Sequence, residues 1–154
     1  MKRILLTTAA LLTLAAPLSS AADHGGHDMH SGHAAMAGVA HEEVISGVKA
    51  TFNVQTMADA MKGMGMQIPK GIRETHHLSV VFRDARSGKV LTEGTVKVKI
   101  LNPDKREQTR ELMGMQGHFG ADFEMAKKGR YGIMCKFLLK GDKIRQVKFW
   151  YSIR

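Results

Sequence analysis

Cysteine is almost missing from this chain. Cys135 is the only one among 154 residues. That excludes an intramolecular disulfide, a CxxC redox pair, a cysteine-rich zinc site and a CxxCH haem attachment site. Aromatic residues are scarce as well, at 6%, and the basic residues are scattered. Neither property suits an RNA- or DNA-binding module, so nucleic acid is not expected as a partner. The longest apolar stretch, near the N-terminus, is too short to span a membrane. No Ser/His/Asp constellation or suitably spaced carboxylate pair stands out, so the expected class is non-enzymatic, with no organic cofactor.

What the chain does have begins at its N-terminus. Lys2 and Arg3 precede the apolar run from Ile4 to Leu14, Pro17 breaks that run, and Ser19, Ser20, Ala21 and Ala22 follow as small residues. This order predicts a cleaved signal peptide over residues 1–22, export to the periplasm and no retained membrane anchor. The absence of a cysteine there excludes lipidation at the cleavage site. Charge is then distributed unevenly. Residues 22–43 hold Asp23, Asp28, Glu42 and Glu43 with no Lys or Arg, and residues 44–154 carry a net +11. A basic domain suits an anionic surface or an acidic partner.

Residues 23–43 are rich in Gly, Ala and His, with few large apolar side chains. Such a segment buries too little surface to offset its ordering entropy, so a disordered His/Met-rich tail is expected. His24, His27, His30, His33 and His41 lie there, with Met29 and Met36. Imidazole suits Cu, Zn or Ni, and thioether sulfur favours Cu(I). Cleavage after Ala21 would start the mature chain Ala22-Asp23-His24, whose amine, amides and imidazole can wrap Cu(II) or Ni(II) in a square plane. Cleavage after Ala22 removes that chelate.

From residue 44 to 154 the apolar pattern alternates. Val48–Val54, Leu78–Phe82, Val96–Ile100, Tyr131–Leu139 and Val147–Ile153 each repeat with period two. Weaker strands fit Glu107–Met113 and His118–Met125, with turn signals at Ser87-Gly88, Asn102-Pro103-Asp104, Lys128-Gly129 and Gly141-Asp142. Short strands at this spacing predict an all-β, antiparallel immunoglobulin-like sandwich of about seven strands. Gly129-Arg130-Tyr131 has the form of a tyrosine corner. Cys135 shares the parity of Tyr131 and is expected to be a buried small hydrophobe. Between Gln55 and Ile68, Met57, Ala60, Met61 and Met64 recur at helical spacing, predicting a short helix through Lys62 and then a loop.

The remaining methionines form two clusters, Met61, Met64 and Met66 in one and Met113 and Met115 in the other, followed by His118. Met113 and Met115 share strand parity, so both can face one side, and His118 stands just across the Gly117 turn. His76 and His77 begin a strand that can end near the same rim. Met113, Met115, His118, Met61, Met64, Met66, His76 and His77 are therefore the candidate metal ligands of the folded part. Met57 and Met61 also suit core filling, as do Met125 and Met134.

The stretch from His76 to Arg154 resembles the YtkA-like domain, related to FixH and to CopC-type copper proteins. The resemblance rests on Ser87-Gly88-Lys89-Val90, Gly94-Thr95-Val96-Lys97-Val98, His118-Phe119-Gly120-Ala121-Asp122 and Lys128-Gly129-Arg130-Tyr131. His118-Phe119-Gly120-Ala121, following Met113-Gly114-Met115, is also similar to the periplasmic copper-binding proteins associated with ferrous-iron uptake. That similarity implies copper on a Met and a His flanking this turn, carried here by Met113 or Met115 and by His118. The expected function is a periplasmic copper-binding protein in buffering, delivery or resistance. Cu(I) would sit on Met and His and Cu(II) on the tail, with a cuproenzyme or membrane transporter as delivery partner. The alternative is a non-enzymatic YtkA/FixH-like adaptor that docks on a membrane complex such as an oxidase assembly system.

Overall fold

The computed structural model describes residues 38–154. The expected signal peptide and His24, His27, His30 and His33 of the tail lie outside the described residues. Nine strands and one short helix follow in order. They are β1 (Val39–Ile45), β2 (Val48–Thr56), α1 (Met57–Gly63), β3 (His76–Asp84), β4 (Val90–Leu91), β5 (Gly94–Leu101), β6 (Glu107–Met115), β7 (His118–Phe123), β8 (Gly129–Leu139) and β9 (Ile144–Ile153). The spatial order is β1-β2-β3-β7-β6-β5-β8-β9, with β4 beside β3. All pairings are antiparallel.

The ladder folds over on itself as a sandwich. Its two inner faces meet through Phe82 and Phe137, with ring centroids 4.3 Å apart, and through Phe52 and Phe149 at 5.0 Å. The rows that alternate in the sequence supply this core, since Val48, Ala50, Phe52 and Val54 all point inward, as do Leu78, Val80 and Phe82. Full burial of one such aromatic or aliphatic side chain is worth roughly 1.5–3 kcal/mol. Strand β6 belongs to both layers. Its residues through Leu112 pair with β5, and from Met113 onward they pair with β7.

The tyrosine corner is present, with the Tyr131 hydroxyl donating to the Lys127 carbonyl at 2.6 Å. Cys135 is fully buried among the apolar residues, and that burial pushes its thiol pKa up to about 12. Helix α1 spans Met57–Gly63, in line with the short helix expected through Lys62. The Thr56 hydroxyl accepts from the Asp59 backbone N–H at 3.1 Å, which satisfies one of the free amides at the helix start.

Two expectations need correction. Strand β1 begins at Val39, inside the segment expected to be a disordered tail, so Val39–Glu43 belong to the folded body. The reason is tertiary. Residues with too little apolar surface to fold alone gain the β2 ladder, and the His41 ring stacks on Phe149 with centroids 4.5 Å apart. The strand count also rises above seven, because β1 and the two-residue β4 carry weak alternation of their own and form by pairing to β2 and β3.

Candidate metal centre

The site is built on a tight hairpin. Gln116 and Gly117 form the two-residue loop between β6 and β7, and both have positive φ, at 23° and 91°. Loops of this kind match the twist of the strands they join, and glycine enters such a conformation without steric cost. The loop fixes the register, so Met115 stands directly opposite His118 and Met113 directly opposite Gly120. Leu112 and Phe119 point into the core, which leaves Met113, Met115, His118 and Gly120 on the outer face.

Strand β3 supplies the next donor. His77 pairs with Asp122 across the β3–β7 ladder. The His77 Nδ1 lies 2.6 Å from the Asp122 carboxylate. A carboxylate accepts and a ring N–H donates, so Nδ1 carries a proton, and Nε2, whenever it is unprotonated, is the nitrogen open to a metal. That Nε2 reaches over Gly120. A methyl group built on Gly120 would lie 2.7 Å from His77 Nε2 and 2.8 Å from the terminal methyl of Met115. An imidazole nitrogen and the methyl end of the Met115 side chain thus converge on the space that glycine leaves.

His118 flanks this space. Burial lowers its pKa below the ordinary imidazole range, and the nearby His77 lowers it further. The ring is therefore held neutral, which is the state that binds a metal. Met115 is 39% exposed and Met113 74% exposed, so Met115 is the more enclosed thioether and Met113 the outer one. Among the described residues, no three His, Cys, Asp or Glu side chains form a group that could hold a metal ion. The constellation depends on its sulfurs, and two thioethers with two imidazoles form a soft donor set suited to Cu(I).

The structure thus places Met113, Met115 and His118 on one outer face with His77. His76 is not part of the group. Consecutive residues of a strand project to opposite faces, so His76 turns away from His77 and its Nδ1 lies 3.0 Å from the Thr75 hydroxyl. Met61 lies on α1, which packs against β2 and β3, and Met64 and Met66 are exposed just beyond the helix. No strand register joins these three to Met113 and Met115. Sequence reasoning missed Asp122 and Gly120 as site residues. Both share strand parity with His118, a signal present in His118-Phe119-Gly120-Ala121-Asp122.

Two solved structures share this architecture. A copper-bound variant of P19 from Campylobacter jejuni superimposes with a TM-score of 0.55 at 13% identity, covering 75% of this chain and 95% of that one. A DUF4426 family protein from Pseudomonas aeruginosa gives 0.54 at 15% identity, covering 73% and 93%. The chain has the fold of these two proteins. The resemblance to copper-binding sandwiches is thereby borne out at the level of fold. No family model matches the chain. No curated protein matches it either.

Proposed function

We propose that this protein binds copper in the periplasm and acts without catalysis, as a buffer or as a carrier to a cuproenzyme or transporter. The observation that carries this reading is the meeting of His77 Nε2 and Met115 above Gly120. Met115, His77 and His118 hold Cu(I), and Met113 closes the site from the solvent side. Thioether sulfur selects the cuprous ion, and it forms no disulfides in an oxidising compartment. The shared fold with a copper-bound P19 supports the choice of metal. The N-terminal leader pattern supports the compartment, and the His-rich tail serves as a second, Cu(II)-preferring capture site.

Titration of the protein with Cu(I) against a competing chelator tests the site. One ion should bind competitively, and Met115→Leu, His118→Gln and His77→Gln should each weaken it by about tenfold or more, near 1.4 kcal/mol each. Affinity unchanged by all three substitutions would remove the site from this face. No competitive binding by the unmodified protein would favour the adaptor reading.

A further inference from the structure

The opposite side of the sandwich carries a second chemistry that copper binding does not use. The outer face formed by β5, β8 and β9 presents Lys97, Lys99, Arg130, Lys136 and Lys148. Lys99 pairs with Glu107 at 2.7 Å. Among the described residues, the other four cations make no ion pair within 4.0 Å. Lys97 and Lys136 are direct cross-strand partners. Like charges placed directly opposite each other destabilise a sheet. Glu111 is the register partner of Lys97 on β6, but it too makes no ion pair within that distance.

Apolar side chains lie among these lysines. Trp150 is 59% exposed, and Leu138 and Ile144, also paired across the sheet, are exposed beside them. The indole of Trp150 lies along the sheet, because a methyl group on Gly132 would stand 3.2 Å from its six-membered ring. The Arg130 guanidinium sits 4.6 Å from the indole centroid. Next to it is a groove of 260 Å³ lined by Leu101, Met134, Trp150, Lys99 and Lys148.

We infer that this face docks an acidic polypeptide segment of a protein partner, with one apolar side chain of that segment seated beside Trp150. Charge complementarity sets the sign of the partner. Trp and Arg around an apolar groove are what protein interfaces concentrate at their energetic centres. A membrane surface fits less well. An indole that seats in the lipid interface must reach into it, whereas this one is laid down across Gly132.

Trp150 is the chain's single tryptophan, so its fluorescence reports directly on this face. The probe is a synthetic acidic peptide of Asp and Glu with one central Leu, titrated into the purified protein. A saturable blue shift that weakens with added salt is expected. The double variant Lys136→Glu/Lys148→Glu should lose about tenfold or more in affinity while keeping its Cu(I) affinity. Trp150→Phe, followed by anisotropy of the labelled peptide, should weaken binding as well. A peptide with Lys in place of the acids should not bind. The inference is overturned by no saturable response, by equal binding of the acidic and basic peptides, or by full affinity in the charge-reversed variant. It is likewise overturned if vesicles of phosphatidylglycerol and phosphatidylethanolamine shift the emission while the peptide does not.

Discussion

Asp122 fixes the ring of His77 from the neighbouring strand, through a 2.6 Å hydrogen bond between two residues that are also register partners. The contact keeps a proton on Nδ1, and it aims the other nitrogen over Gly120. Partners of this kind orient metal-binding imidazoles and commonly change affinity by about 10–100-fold when removed. Asp122→Ala should therefore weaken Cu(I) binding within that range. Asp122→Asn, which retains an acceptor oxygen, should stay within a few fold of the unmodified protein. Competition titration of both variants checks this. Equal affinities for Asp122→Ala and the unmodified protein would show that the ring needs no orientation.

Gly120 is required for space and not for its backbone. Its φ is not positive, so alanine meets no conformational strain there, yet the new methyl group would press on His77 Nε2 and on Met115. The Met115 methyl is a flexible side-chain end that can swing aside, whereas the His77 ring gives way only by straining its hydrogen bond to Asp122, a loss of about 1 kcal/mol. Gly120→Ala should thus melt within a few degrees of the unmodified protein while binding Cu(I) about tenfold more weakly. Calorimetry and the competition titration together read the two effects. A large loss of melting temperature would mean that the glycine serves the fold, and unchanged affinity would place the ion elsewhere.

Burial lowers the pKa of both His76 and His118 below the ordinary value of 6.5, with His77 adding to the effect at His118. A base whose folded pKa is depressed takes up its proton more readily when the chain is unfolded. Its contribution to stability is complete above the unfolded value and is lost as pH falls through the window beneath it. The metal-free protein should therefore show a urea midpoint that falls as pH drops below the ordinary imidazole value of 6.5, above the range where most carboxylates titrate. His118→Gln should flatten part of that slope. A midpoint that stays constant or rises on acidification would contradict the burial of these rings.

The sequence made much of the fold legible because period-two alternation is a local signal. Phe52, Val80, Val98 and Cys135 were readable as inward-facing from their neighbours alone. Strand β1 was not, since its reasons to order are the β2 ladder and the Phe149 ring, both distant in sequence. The site divides the same way. Met113, Met115 and His118 surround one hairpin, so parity and a turn signal sufficed to group them. His77 joins them through the β3–β7 register, a long-range pairing that fixed which of two adjacent histidines faces the sulfurs.

Strand β6 passes from one layer of the sandwich to the other between Leu112 and Met113. One continuous piece of backbone therefore contributes Glu107 to the lysine-bearing side and Met113 to the thioether side. The two surfaces point in opposite directions. A protein seated beside Trp150 would leave the path to Met113 and Met115 open, so a docked molecule could still load or release its ion into solution or to a third component.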